Sequence, residues 1–449
     1  MQTSLMIKTA MIAAVFAALL IPLNMIGGLV TERAQRQQGV LREIAAGNYG
    51  RQVLAGPILS LPYREEYDES VSGENGKQLE HRRIEHVARF YPESQESSGK
   101  AGVSTKYRGI FKARVFNWHG TLRGEFALNG YSPERSRAGS TIKFGKPYVS
   151  IALLDPRGLD GTPVLQWDGK QLPLERGSDL PNLGGGVHAS APEFDPAKPQ
   201  RIAYSVEIGL YGTESLALVP LAGNERVRLS SDWPHPAFGG QFLPLPREPR
   251  RDGFDAQWTV SALASKAQQQ VLDKIDGRST CKGEPCTDRL EVRFVEPIDI
   301  YSLSDRALKY GFLFIALTFG CFLLFELLKS VPIHPAQYFL VGLALAVFFL
   351  LLIGLSEHIA FGLAYAIAAT ACVALLGVYL HAALRGLWRS AAFSGMFAAL
   401  YAALYGLLIS EDNALLMGSL LVFGLLAAAM IATRKLDWYA LGAIRPLAA

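Results

Sequence analysis

Residues 307–328 read ALKYGFLFIALTFGCFLLFELL, in which Lys309 and Glu326 are the only charges. Four more apolar runs follow with scarcely a pause, at 337–355, 361–380, 391–409 and 414–432, and charges fall almost wholly in the breaks. Each run is close to the ~20 residues that carry a helix across a ~30 Å hydrocarbon layer. A sixth run, 7–30, stands alone near the N-terminus. The expected architecture is an integral membrane α-helical protein of six spans with a large polar insert between the first and second.

Apolar residues make up 50% of the chain and charged ones 19%, a balance shifted toward lipid relative to a soluble protein. The charge is unevenly shared. Nine of the 44 Lys and Arg and five of the 40 Asp and Glu lie outside residues 31–305, which leaves 35 of each in the insert and a formal charge of zero there. The net +4 therefore belongs to the membrane flanks, so it reads as a topology signal and not as a nucleic-acid surface. With the N-terminus cytoplasmic, Lys8, Lys329, Arg385, Arg389, Arg434 and Lys435 all fall inside. Glu357 with His358, and Glu411 with Asp412, then fall outside. That is the positive-inside distribution; Arg306 and Lys309 end a long loop, where the bias does not count.

Residues 1–30 are expected to be a signal-anchor span, too long for a cleaved signal peptide and without a small-x-small site. A juxtamembrane helix over about 31–46 opens the exported β-rich domain, 31–305. A five-span bundle, 306–433, and a cytoplasmic tail, 434–449, complete the chain.

The insert reads as strands. Residues 58–67 and 82–91 are candidates, and the polar run 93–102 is expected to break the second. Residues 103–115 and 122–128 alternate with period two, the mark of a half-buried strand, and are expected to pair through a turn at 117–120. Asp168-Gly169 between apolar arms is the strongest short hairpin cue. Strands are also expected at 148–154, 202–210, 216–221, 227–229, 254–263 and 292–295, with one short helix at 266–275. So many short strands between Gly and Pro turns predict an antiparallel, sandwich-like domain, α+β for the whole chain.

Candidate sites are few. Asp232-Trp233-Pro234-His235 sets an acid, a His and an aromatic in a Pro-framed loop. It reads as a binding loop using Asp232, Trp233 and His235 or, more simply, as a shaped crossover capped by Trp233. Lys106, Arg108, Lys112 and Arg114 are expected to form a basic outer face, read as a contact for anionic headgroups or glycans or, as the simpler default, as a solvated strand face. Cys281 and Cys286 lie in a polar exported segment, where a disulfide is favoured over metal or redox chemistry. Cys321 and Cys372 sit in apolar spans as packing residues. Glu326 is the only acid within a span. It reads as an ion-pathway residue or as the partner of Lys329 one turn on, and Glu357 and His358 are interfacial. Gly184-Gly185-Gly186 lacks the spacing of a phosphate loop and reads as a turn; His81 and His86 would face opposite sides of a strand. No catalytic, metal or cofactor constellation is visible, and none is expected.

Several segments together resemble the CreD family of bacterial inner-membrane, cell-envelope-integrity proteins. They are Gly56-Pro57-Ile58, Asp232-Trp233-Pro234-His235-Pro236, Phe242-Leu243-Pro244, Tyr301-Ser302-Leu303-Ser304-Asp305-Arg306, His334-Pro335-Ala336-Gln337-Tyr338, Leu355-Ser356-Glu357-His358 and Asp437-Trp438-Tyr439. The Cys281 to Cys286 segment is not part of that pattern. The resemblance implies a multi-pass inner (cytoplasmic) membrane protein whose insert is periplasmic. It implies an envelope stress response under a two-component regulon, and an influence on β-lactam response. It carries no catalytic residues. The expected partners are membrane lipids and a periplasmic or inner-membrane protein or envelope glycan, with no nucleic acid. The expected function is non-catalytic binding or bracing of the envelope. The alternative is a transporter or lipid- and precursor-handling protein using Glu326, Glu357 and His358.

Overall fold

The computed structural model describes residues 2–47, 49–73, 76–135, 139–245, 247–250, 252–279, 287–295, 299–329, 334–384, 387–410 and 414–434. The chain divides into two units, one of residues 1–39 with 298–449, the other of residues 40–297. Helix α1 (Gln2–Gly47) is unbroken, so the first apolar run and its amphipathic extension are one element, as expected.

In the unit 40–297, seventeen strands among the described residues form two sheets. The first holds β1 (Gln52–Gly73), β2 (Gly76–Phe90), β5 (Thr141–Phe144), β6 (Tyr148–Leu153), β9 (Glu175–Arg176), β10 (Gly185–Ser190), β12 (Ser215–Val219), β14 (Pro236–Gly240) and β17 (Leu290–Phe294). The second holds β3 (Ser94–Arg108), β4 (Phe111–Asn129), β7 (Val164–Trp167), β8 (Lys170–Leu172), β11 (Pro199–Thr213), β13 (Asn224–Ser231), β15 (Arg247–Arg250) and β16 (Gly253–Ser261). The orders are β14-β17-β12-β1-β6-β10-β9, with β2 and β5 on β1, and β15-β16-β13-β3-β4-β11-β7-β8.

The inner faces share one core, built from alternate residues such as Leu54, Ile151 and Leu218 of one sheet and Phe126, Val206 and Trp258 of the other. Helix α2 (Ala267–Ile275) packs Val271 and Ile275 on the outer side of the first sheet, against Ala55, Ile58 and Val219. One strand can serve both cores because a bulge lies between Ala55 and Ile58. It reverses the alternation, so Leu54 and Leu59 point inward while Ala55 and Ile58 point to α2. The bulge residue Gly56 has φ +128, and a Cβ there would stand 2.8 Å from the Ser150 carbonyl.

Four expectations are corrected. The sheets are mixed, because β1 runs parallel to β12 and β13 parallel to β3. These strands are joined by passages between sheets, which do not impose the antiparallel order of a hairpin. Residues 93–102 do follow the end of β2 at Phe90, but they are themselves a strand and make most of β3, between β4 and β13. Its inward positions are Gln95, Ser97, Gly99 and Ala101, small or polar residues that leave room for Trp118, 1% exposed. A Cβ on Gly99 or Gly120 would overlap that indole. The β3–β4 turn falls at Gly109-Ile110, with Gly109 at φ +63, and not at 117–120, where β4 runs straight through. The glycine triplet begins a strand: Gly185 and Gly186 open β10, and Gly186 at φ +144 passes so close to Ile151 that a Cβ would strike its carbonyl. The hairpin of β7 and β8 turns at Asp168-Gly169, both at positive φ, as expected.

In the other unit, α3 (Ile300–Lys329), α4 (Pro335–Ser356), α5 (Phe361–Leu384), α6 (Leu387–Ile409) and α7 (Ala414–Thr433) follow the five apolar runs. Among the described residues five helices, α1 and α3 to α6, are long and apolar enough to cross a membrane. Their starts are written in the sequence. Asp299 accepts from the amides of Tyr301 and Ser302 at 3.3 Å each. His334 caps α4 through Nδ1, which accepts from Ala336 N at 3.2 Å, while its own amide donates to Gln337 Oε1 at 3.0 Å. Pro335 then supplies the fixed φ of a first helical residue. Small residues let these helices close up: a Cβ on Gly362 or Gly377 would meet the Tyr405 or Ser394 hydroxyl at 2.8 Å.

Candidate functional site

The segment 231–240 carries the chain from β13 in the second sheet to β14 in the first. Asp232 Oδ1 accepts from Val103 N at 3.1 Å, and Trp233 Nε1 donates to the His235 carbonyl at 3.0 Å. The Trp233 and His235 rings meet edge to face at 5.9 Å, and the Arg114 guanidinium lies 4.4 Å from the Trp233 ring centroid. Trp233 also packs on the shared core, while Asp232 and His235 are exposed. The Asp232 carboxylate and the Trp233 indole N–H thus shape the passage, while the His235 ring makes an aromatic contact with Trp233. Among the described residues no hydrogen bond links Asp232 with His235, so no acid–base pair is assembled there.

The four expected basic residues do not share a face. In the β3–β4 ladder Arg108 stands opposite Phe111 and Lys106 opposite Ala113, while Lys112 stands opposite Tyr107 and Arg114 opposite Thr105. Directly opposed residues point the same way, so Lys106 and Arg108 lie on one face and Lys112 and Arg114 on the other. The turn at Gly109-Ile110 brings an even-numbered residue opposite an odd one, which reverses the parity that the sequence suggested. Arg108 pairs with Glu43 at 3.0 Å, and Arg114 donates to Thr105.

Within the helical unit, Glu326 binds Lys8, whose Nζ donates to Oε1, and the fully buried Tyr338 hydroxyl faces the same carboxylate. The side chain of Lys329, the expected partner, lies outside the described residues; the partner described is Lys8 of the first helix, 318 positions away. Glu357 accepts from the Tyr301 hydroxyl at 3.0 Å and lies 3.8 Å from Arg33 Nε. His358 is exposed. Tyr338 and Glu357 are nineteen residues apart in and after α4, roughly 28 Å of helix. Glu326 and Glu357 therefore belong to separate clusters and form no single polar site. Lys8, Arg33, Tyr301 and Tyr338 were not anticipated as partners. A lone Lys8 in an apolar run was the available signal, since such a charge needs a counter-ion.

A further acid was missed in the insert. Glu225 is 2% exposed. Its Oε1 accepts from Gln95 Nε2 at 2.8 Å and Ser97 Oγ at 3.3 Å, and its Oε2 from Ala222 N at 3.3 Å. Tyr204 donates to Gln95 Oε1 at 2.6 Å. Burial is the largest influence on Glu225 and pushes its carboxyl up to about 7. Alternation with Val227 and Leu229 was the overlooked sign that residue 225 points inward.

Cys281 and Cys286 lie outside the described residues, as do Glu411, Asp412 and residues 437–439. Cys321 and Cys372 are free. His81 and His86 stand at opposite parities on β2; the first lies 2.9 Å from Asp68 and the second stacks on Tyr63. Among the described residues no group of three His, Cys, Asp or Glu is placed to hold a metal. A crevice of about 50 Å³ beside α2, lined by residues including Val53, Ala55, Val219, Val271, Lys274 and Arg289, is far below the ~300 Å³ of a small-molecule pocket.

Among solved structures, an M1 zinc metallopeptidase from Deinococcus radiodurans aligns with 45% of the chain and 42% of its own length, at 9% identity and a TM-score of 0.20. A second structure of that peptidase aligns at 8% identity and a TM-score of 0.21. The chain thus spans less than half of these peptidases, and likeness at this level carries no argument. The sequence relationship is of another order. The Inner membrane protein CreD of Escherichia coli (strain K12) is 36% identical over 422 residues, 94% of this chain and 91% of that protein. A family model described as Inner membrane protein CreD matches residues 4–439. With the apolar helices already described, these matches establish that the chain belongs to the inner membrane protein CreD family.

Proposed function

We propose that the chain is a non-catalytic cell-envelope-integrity protein. Its six helical spans tether a periplasmic β-unit that binds or braces an envelope component or partner protein, with both termini cytoplasmic. The observation that carries this reading is the pairing of the charges in the helical unit. Lys8 meets Glu326, and Arg33 meets Glu357 with Tyr301, while α4 and α7 contain no charged residue. Proton and ion relays through a membrane are commonly chains of several ionisable groups; two pairs about 28 Å of helix apart suit a scaffold better. Carbon–carbon packing and one long helix suffice for tethering.

The test is a chain with Lys8→Met and Glu326→Gln, which removes both charges together. At normal expression it is expected to retain the envelope phenotype, read as β-lactam tolerance in cells lacking the native gene. The full chain purified in mild detergent is expected to bring down a stoichiometric envelope protein or glycan. Loss of the phenotype in the doubly neutral chain, with a lipid-linked precursor bound to the purified protein, would move the assignment to transport or lipid handling.

A further inference from the structure

Strand β2 borders β1 along its whole length, from Phe90 opposite Leu59 to Gly76 opposite Gly73, without a shift of register. Its other edge carries no strand among the described residues. In an antiparallel ladder alternate residues turn their N–H and C=O away from the neighbour, so this edge presents a row of open backbone groups. Proteins blunt such edges with Pro, bulges or brevity; β2 is 15 residues long and contains no Pro. Strand β5 flanks β1 only at residues 63–66, so 67–73 and 76–82 stand as a ribbon of two strands. Such a ribbon is marginal in water until a third strand joins it.

The charges on the edge select the occupant. A second copy adds to an edge about a two-fold axis. Opposed residues in an antiparallel ladder are both hydrogen-bonded or both not, so the axis must pass through a residue and not between two. Within residues 79–90, only axes at His81 and Ile84 set an acid against a base in the adjoining pairs: Glu80 with Arg82, or Arg83 with Glu85. The first set is already engaged, since Arg82 lies 2.9 Å from Glu80 and 3.4 Å from Glu69 of its own chain. Arg83 is 61% exposed and 4.0 Å from Glu66, and Glu85 is 80% exposed and 3.4 Å from Arg64. An axis at Ile84 also lays that residue on its own copy, an apolar pair at the centre.

We propose that a second copy of this chain adds antiparallel to the open edge of β2, on a two-fold axis at Ile84. Arg83 of each copy meets Glu85 of the other, and residues 86–90 of one copy lie along 78–82 of its mate as the third strand of the ribbon. Arg82 then faces His86, with its guanidinium held by Glu80 and Glu69. This pairing goes beyond the tethering role and does not depend on it.

The test uses the full chain in mild detergent with its four cysteines replaced by Ser. Under mild oxidation Ile84→Cys is expected to form an interchain disulfide, because the axis sets the two Cα atoms ~4.5–5.5 Å apart. Leu79→Cys is the control: residue 79 is 78% exposed, yet its two copies lie ten positions apart along the ladder, roughly 34 Å. Adding Arg83→Glu to the Ile84→Cys chain should slow cross-linking roughly tenfold. Adding Glu85→Arg as well should restore it, which a merely structural role of Arg83 does not allow. Faster linkage at Leu79→Cys than at Ile84→Cys overturns the proposal, as does a charge swap that fails to restore linkage in a chain with unchanged tryptophan fluorescence. Light scattering on the chain with Ile84 intact is a measurement free of these variants. Its mass should rise toward two copies with concentration, and a mass of one copy throughout overturns the proposal.

Discussion

At the scale of single residues, Glu225 is the group on which solution conditions act most directly. Its carboxyl is raised from 4.5 to about 7 chiefly by burial, against the lowering effect of hydrogen bonds from Gln95, Ala222 N and Ser97. Between those two values the folded chain holds a proton that the unfolded chain has lost. The resulting stability is fully present below pH 4.5 and is lost as pH rises through 7. The size of the effect is on the order of 3 kcal/mol. Glu225→Gln keeps the oxygen that Gln95 and Ser97 bind and removes the titration. Chemical unfolding followed by tryptophan fluorescence should show wild-type stability falling between pH 5 and 8 and the variant's profile flatter over that range. Parallel profiles would refute the assignment. Gly99 is a second single-residue test. Its missing side chain houses the Trp118 indole, so Gly99→Ala is expected to cost roughly 1–3 kcal/mol by overpacking, read as a lowered unfolding midpoint in the same assay.

At the scale of elements, the pair joining α1 to α3 makes a prediction that composition alone does not. Lys8 and Glu326 are mostly covered, with side chains 23% and 17% exposed. Removing one partner strands the other charge among apolar helices, at ~2.5–3.5 kcal/mol. Lys8→Met should therefore lower the thermal midpoint of the purified protein in detergent more than Lys8→Met/Glu326→Gln does. A double variant less stable than either single one would mean that the pair itself, and not the lone charge, is what matters. No spacing rule could have revealed this pair, since the two residues lie at distant ends of the chain. Elements that carry a local signal were legible: the apolar runs, helix α2, the Asp168-Gly169 hairpin and the strand of residues 202–210. Strand β3 was not, because its inward residues are Gln, Ser, Gly and Ala, and hydrophobic alternation is silent where Trp118 from the next strand fills the space. The parity of the basic residues was lost for a related reason. A two-residue turn at Gly109-Ile110 changes which face each residue takes, and no alternation reports that change.

At the scale of the molecule, a helical and a two-sheet unit are suggested by the distribution of charge and hydropathy, but their bounds are not: the two-sheet unit is residues 40–297, inside the 31–305 expected, because α1 runs unbroken past the end of the apolar run. Mixed strand order could not be read, because parallel pairing depends on passages between sheets that leave no periodic trace. Membrane orientation is a property of the same scale. Lys8, Lys329, Arg385, Arg389, Arg434 and Lys435 fall on one side of the expected spans, and moving them all across a membrane would oppose the bias that sets topology. Lys112 and Ala336 are both exposed and are expected on opposite sides. In a chain whose four cysteines are replaced by Ser, Lys112→Cys should react with a membrane-impermeant thiol reagent in intact spheroplasts. Ala336→Cys should react only after permeabilisation. The reverse pattern would place the β-unit in the cytoplasm and remove the premise of an envelope partner. Labelling of both sites in intact spheroplasts would instead break the expected alternation between α1 and α4, since an odd number of crossings must separate Lys112 from Ala336 for α3 to be a span.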